Sequence, residues 1–331
     1  MNHGNSRSTD WLQEVEKFPP DVRNDIDSIW EHQGMMTART AREVASKMAI
    51  PIEELMMRLL PIAQQYAIVP VSRFKVGAVA AGMKGTDGCS LYFGANFEFS
   101  DLALSFSVHG EQAATNNAWI HEEPGIEALA ISAPPCGYCR QFLFELSTAE
   151  ELSILLPSSD KQASTFTSTP LTQFLPRAFG PKDLGIEGGL MDPKLGKHHL
   201  TLSADPPGDP VVSAALAAAS RSYAPYQTAY PPVPIDQSHA FAGVAIQTED
   251  DEVYSGQHAV NAAYNPSLSP LQSALAFMNM NRPLGASRQI TRAVLVEAPT
   301  LASQLSATKA ALAAFAPEVD LEYHLAKYQT A

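Results

Sequence analysis

The chain has 331 residues and a net charge of −13, with 45% hydrophobic and 17% charged residues. Such a length has room for about two domains, at roughly 100–200 residues each, and the composition excludes a disordered polymer. The acidic balance argues against a protein that tracks a phosphate backbone, which needs a basic face; a small neutral or cationic substrate fits better, and nucleic acid is not an expected partner. The opening MNHGNSRSTDW has no apolar core of a signal peptide, and no apolar run approaches the ~20 residues of a membrane span. The expectation is therefore a cytoplasmic protein with no membrane partner. Three cysteines are too few for a disulfide framework. Cys136 and Cys139 form a C-x-x-C pair, which leaves metal or redox roles, and Cys89 reads as a small apolar filler in a strand.

In chain order, residues 1–10 read as a disordered polar start, and 20–33 and 38–49 as short helices. PIEELMMRLLPIAQQYAIV (51–69) is a stronger helix, with Pro51 placed for a helix start. FKVGAVAAG (74–82) and CSLYFGA (89–95) are strands joined by a Gly/Asp-rich turn. A helix runs from about Ser107 to Trp119, then a buried strand at 128–133, a helix at 137–146 and a strand at 152–157. Strands alternating with helices after an opening hairpin define an α/β sheet covered on its faces. Residues 157–210, with Ser/Thr clusters and many Pro and Gly, read as a connection, although LPRAFGPKDLGIEGG within it is too specific for plain linker.

From residue 211 the pattern returns. VVSAALAAASRSYAPY is a helix like 51–69, AFAGVAIQT and EVYSGQ echo the hairpin, SPLQSALAFMNM echoes VHGEQAATNNAW, and AVLVEAPT echoes LAISAPPC. The chain is an internal duplication, with 227–239 inserted in the second copy. In this reading Pro270 stands in the place of His109, Gln272 in the place of Glu111, and Pro299-Thr300 where the first copy has Pro135-Cys136. The second copy keeps the packing pattern and loses the groups that bind a metal.

His109, Cys136 and Cys139 offer one nitrogen and two sulfurs, a donor set that suits tetrahedral zinc. Three protein donors leave a fourth place for water, which points to catalysis rather than a closed structural site. His121, some three turns along the helix, reads as surface. The i,i+3 spacing puts both cysteines on one side of a first helical turn, where the partial positive charge of the helix start lowers thiolate basicity. His109 and Glu111 are i,i+2 and would diverge by about 200° inside a regular helix. Both reach one site only if they sit where the chain enters the helix; Glu111 is then a carboxylate beside the metal, placed to move protons. A thioredoxin-like redox role would not need this H-x-E, and a purely structural zinc scaffold would not need Glu111.

H-x-E…P-C-x-x-C is the signature of zinc-dependent nucleobase deaminases. FGANFEF, VHGEQAA, APPCGYCRQFLFEL, FLPRAFGPKDL and NAAYNPSLSPLQSAL together resemble the cytidine deaminases that act on free nucleosides, in their long, two-copy homodimeric form, from about residue 51 to the C-terminus. The resemblance implies a three-layer α-β-α sandwich, duplicated, behind a small N-terminal helical segment (1–50). It implies a catalytic zinc domain over 51–182, a linker over 183–206 and a degenerate copy over 207–331. It further implies one Zn²⁺ per chain on His109, Cys136 and Cys139, with Glu111 as the proton shuttle. Asn96 and Glu98 would bind ribose hydroxyls, Phe74 would pack on the base, and Phe179 and Tyr264 would close the pocket of a partner subunit. A carboxylate at Glu98 repels phosphate and favours a free pyrimidine nucleoside. The family usually has Phe at the Tyr264 position and Ala at Gly110; glycine keeps the small side chain and the N–H that would face the pyrimidine carbonyl, with a looser helix start. The implied reaction is hydrolytic deamination of cytidine or deoxycytidine, with ammonia leaving near the Pro134 carbonyl; the same chemistry on polynucleotide is the rival.

Overall fold

The structure is a computed structural model and describes residues 9–158, 166–195, 197–202, 208–226, 239–282 and 289–328. The inserted segment read at 227–239 thus lies, but for His239, outside the described residues, as do residues 1–8. The N-terminal part holds α1 (Thr9–Glu16), α2 (Arg23–Asp27), β1 (Met35–Met36) and α3 (Ala38–Met48). Thr9 and Asp10 already belong to a helix, and Trp11 is fully buried, so this segment is packed rather than loose. The Thr37 side chain caps α3 by accepting from the Thr40 N–H.

The first copy follows with α4 (Ile52–Ala63), β2 (Gly77–Gly82), β3 (Leu91–Ala95), α5 (Gly110–Ile120), β4 (Ile126–Ile131), α6 (Gly137–Leu143), β5 (Ser153–Pro157), β6 (Phe166–Pro170) and α7 (Leu171–Phe174). Its sheet runs β1-β3-β2-β4-β5-β6. Only β4 and β5 pair in parallel, joined by the crossover through α6. Helix α4 covers one face and α5 the other, which gives the expected three layers. Every residue of β2 is buried, so its sequence GAVAAG shows no alternation. Helix α5 is buried from Gly110 to Trp119 on all sides and has no solvent-facing stripe.

The second copy comprises β7 (Leu200–Leu202), α8 (Pro210–Ser220), β8 (Ala242–Thr248), β9 (Val253–Gln257), α9 (Pro270–Asn281), β10 (Ile290–Glu297), α10 (Leu305–Phe315) and β11 (Leu321–Tyr328). Its sheet runs β7-β11-β10-β8-β9, again with one parallel pair, β10 and β11. The internal duplication is thus a duplication of topology. No helix among the described residues is long and apolar enough to cross a membrane.

Two readings change. The stretch read as connection contributes β6 to the first sheet and β7 to the second, and the latter lies inside the 183–206 segment expected to be linker. Both are edge strands; β6, FTSTP, is largely solvent-facing, so it carries turn-like residues where a central strand would carry apolar ones. The crossover α10–β11 is also added beyond the AVLVEAPT strand.

The copies are locked through α5 and α9. Asn116 Nδ2 donates to the Ser273 carbonyl and Ser273 Oγ donates to Asn116 Oδ1, while Asn279 Nδ2 donates to the Tyr66 carbonyl. A second lock is Glu145, 1% exposed, just beyond α6. It accepts from Tyr223 OH (2.8 Å), Tyr226 OH and the Ala262 N–H (2.8 Å), all in the second copy. Burial pushes its carboxyl up, and these three donors oppose that shift. Glu145→Gln turns an amide N–H₂ toward one of these donors. The expected loss is about 1–3 kcal/mol, the cost of a buried donor left without an acceptor, read from urea unfolding.

Candidate active site

The strand β3 ends at Ala95, and the chain continues through Asn96, Phe97 and Glu98. Phe97 and Val108 form an antiparallel bridge, exchanging N–H···O bonds of 2.8 and 2.9 Å, and both are fully buried. Their neighbours Asn96, Glu98, Ser107 and His109 project to the other side. They line one cavity of about 320 Å³, at the small end for a ligand pocket. Phe74, Leu104, Glu111, Pro134 and Cys136 complete much of the wall.

His109 is the N-cap of α5, in extended conformation (φ −84°, ψ 157°), and Glu111 lies in the first turn. The break in helical geometry at His109 is what lets an i,i+2 pair serve one site. Gln112 Oε1 accepts the His109 N–H and fixes the cap. On the facing element Cys136 is the N-cap of α6 (φ −69°, ψ 169°), and its sulfur accepts the Cys139 N–H. Two helix starts therefore meet.

The donor atoms lie close: Cys139 Sγ to His109 Nδ1 is 3.2 Å, Cys136 Sγ to His109 Nδ1 is 3.6 Å, and the sulfurs are 3.6 Å apart. Tetrahedral zinc with ordinary bond lengths places two sulfurs about 3.8 Å apart and a sulfur and nitrogen about 3.6 Å apart. The residues present fit that ion. Among the described residues no other His, Cys, Asp or Glu joins this group. The Cys139 thiol bonded to it, with the helix start and the His109 ring, holds Cys136 down at about 5, against the pull of partial burial. Burial pushes the Glu111 carboxyl up, while the His109 ring and the Cys139 thiol beside it pull the other way.

Asn96 and Glu98 are built into the wall. Asn96 Oδ1 accepts the Val76 N–H and its Nδ2 donates to the Phe74 carbonyl, both at 2.8 Å, which holds the segment carrying Phe74. Glu98 Oε2 accepts the N–H groups of Val71 and Ser72, each at 3.0 Å. Desolvation raises the Glu98 pKa, but Ser72 and these backbone donors outweigh it and keep the carboxyl below its ordinary value. Phe74 lines the cavity with 61% of its surface exposed. Gly110 sits against Val76, and a methyl there would come within 3.1 Å of the Val76 Cγ1.

Phe179 and Tyr264 are not among the residues that line this cavity. They share another patch: Gln141 Nε2 donates to the Phe179 carbonyl, Asn261 Nδ2 donates to the Gln141 carbonyl, and the Tyr264 N–H donates to the Asn261 carbonyl. Both rings are exposed, Tyr264 on a left-handed backbone (φ 58°). His121 is half-buried rather than a surface residue: its ring nitrogens meet the Asn117 carbonyl and Gln33 Oε1, and it lies against Tyr92 and Phe277. Cys89 lies in the turn just before β3, not in the strand. Ser72 and Ser107, which sequence reading passed over, also line the cavity; Ser107 was read as the start of the helix, but it lies in the extended segment before Gly110.

The second copy shows what became of its site, with one correction of register. Ser269 caps α9 and Gln272 Oε1 accepts its N–H, as Gln112 does for His109. Gly94 and Gly256 make matching approaches, a Cβ on either falling about 2 Å from the Ala114 or Ala274 nitrogen. Ser269, not Pro270, therefore stands at the place of His109, Pro270 replaces Gly110, and Leu271, not Gln272, replaces Glu111. The one-residue slip arose because PLQ offers no ligand to anchor the comparison. Glu297, 2% exposed, stands at the place of the cavity-lining Ala133 and binds Ser303 Oγ, the Gln304 N–H and Tyr323 OH.

Duplicated three-layer sheets, one bearing a His-Cys-Cys cluster with an adjacent carboxylate, define the class of zinc-dependent deaminases. The family model for the cytidine and deoxycytidylate deaminase zinc-binding region matches residues 51–154 and a companion model of the same description matches 171–311. A cytidine deaminase of Aliivibrio fischeri is 41% identical over 294 residues, covering 88% of this chain and 89% of its own length. One from Sodalis glossinidius is 43% identical, covering 85% and 86%, and one from Histophilus somni is 36% identical, covering 98% and 97%. The chain belongs to the cytidine deaminase family, and its cofactor is zinc. Metal analysis is expected to give one zinc per chain, and His109→Ala or Cys136→Ser to abolish it. Two zinc ions per chain would show that the second copy still binds metal.

Proposed function

We infer that the protein catalyses the zinc-dependent hydrolysis of cytidine and 2′-deoxycytidine to the uridine products and ammonia, in pyrimidine salvage. The observation that carries this reading is the Glu111 carboxyl, buried within reach of the His109–Cys136–Cys139 cluster and lining the same cavity as Asn96 and Glu98.

In this reading His109, Cys136 and Cys139 hold the metal. When bound, zinc supplies a Lewis acid that makes water nucleophilic near neutral pH. Glu111 would take one proton of the attacking water and deliver it to N3 of the pyrimidine, where it stays; it would then take the second proton, from the hydroxyl left on C4, and deliver it to the amine as the C4–N bond breaks and the C4 carbonyl forms. A carboxyl raised by burial suits both giving and taking a proton. The Gly110 N–H faces the pyrimidine carbonyl, and a carbonyl near Pro134 accepts from the amine. Asn96 and Glu98 bind the sugar hydroxyls. An ionised Glu98 disfavours a phosphate at that end of the cavity, which selects nucleosides over nucleotides and polynucleotides.

The active unit in this reading is a homodimer. Exposed Phe74 and Leu104 at the cavity need cover, and exposed Phe179 and Tyr264 offer it from a second copy. We divide the chain into the helical segment 1–50, the catalytic unit 51–182 and the degenerate unit from about 200, where β7 joins its sheet, to 331, with a cytoplasmic location suited to thiol ligands kept reduced. Glu111→Gln is expected to bind zinc and fold as the wild type while losing roughly 10²–10⁴-fold or more in kcat, followed by the ultraviolet change on adding cytidine. A wild-type enzyme that turns over single-stranded DNA but not cytidine would overturn the nucleoside assignment.

A further inference from the structure

Ser107 is a cavity residue with no assigned part. The bridge at Phe97 and Val108 sets it directly opposite Glu98 and sets His109 opposite Asn96. Pairs that flank a mutually hydrogen-bonded pair are the close ones of an antiparallel ladder, with Cα atoms about 4.5 Å apart. Ser107 and Glu98 therefore share the cavity face side by side, one strand repeat, about 6–7 Å, from the metal-binding His109. That is the offset between a base ring and its sugar.

The hydroxyl of Ser107 is shielded from bulk water and has no hydrogen-bond partner among the described residues. Its backbone is fixed, with the N–H bonded to the Leu104 carbonyl at 3.0 Å. A buried hydroxyl without a partner costs stability. Its neighbour Glu98 directs both backbone bonds, from Val71 and Ser72, to Oε2. Leu104 and Val108, the cavity residues next to it along the chain, are apolar and offer its hydroxyl no side-chain partner.

We propose that Ser107 is a sugar-binding residue, its hydroxyl turning by one staggered χ1 step to hydrogen-bond a sugar hydroxyl of the nucleoside beside Glu98. This rests on the nucleoside reading above. The hydroxyl is left unpaired in the free protein and satisfied on binding, so it contributes to affinity rather than to folding.

The test compares wild type and Ser107→Ala on cytidine and 2′-deoxycytidine, with thermal unfolding of both proteins in the zinc-loaded form. The expected result is a KM for cytidine raised about 3- to 10-fold, the effect of one hydrogen bond. The kcat stays within about twofold, as for a group that binds ground and transition states alike, and the melting temperature is unchanged or higher. A KM within about twofold of wild type, or a loss confined to kcat or to melting temperature, would overturn the assignment. Failure of the nucleoside reading is separately visible, because the wild-type protein itself would then not convert cytidine.

Discussion

The site depends on two helices beginning at the same point. The N-caps of α5 and α6 are themselves metal-binding residues, His109 and Cys136, each in extended backbone. A cap residue has left the strand but not yet joined the helix, so its side chain is free of the helical frame. This is why three donors from two elements reach within 3.6 Å of one another. The same helix starts bring partial positive charge to a cluster that would otherwise concentrate thiolates and a carboxylate at one end of the cavity. The fold exists, in this sense, to aim two strand-to-helix corners at each other.

The wall opposite the metal is organised by side chains that face inward and outward at once. Asn96 and Glu98 line the cavity, yet each is tied to the backbone of 71–76. The segment carrying Phe74 is therefore positioned by residues that line the cavity. Glu145 and the asparagines of α5 and α9 extend this rigidity across the two copies, so the second copy braces the first. Its loop at Asn261–Tyr264 is bonded through Gln141 to the helix of the zinc cysteines.

Much of this was legible in the sequence. The H-x-E and C-x-x-C motifs specified the donors, and the echo of the hairpin and of the helix at 107–119 revealed the duplication. Helix α5 illustrates why the echo was needed: buried on every side, it has no amphipathic period of its own. The edge strands β6 and β7 were not legible, because a solvent-facing strand shares its composition with loops. The register of the second site slipped by one because it offers no ligands to align on; the matched Gln112 and Gln272 caps and the matched approaches of Gly94 and Gly256 restore it. Ser107 was missed because its meaning lies in what stands across the ladder, which spacing along the chain does not encode.

Glu297 carries a last consequence. In the first copy the corner between strand and helix presents donors that would be joined by zinc; in the second, a carboxylate of the chain itself ties strand β10 to Ser303, Gln304 and Tyr323 by hydrogen bonds. The two lobes thus differ in what their cohesion demands from the environment. That corner of the second lobe is therefore closed by groups the chain itself supplies, and its closure does not vary with the supply of zinc.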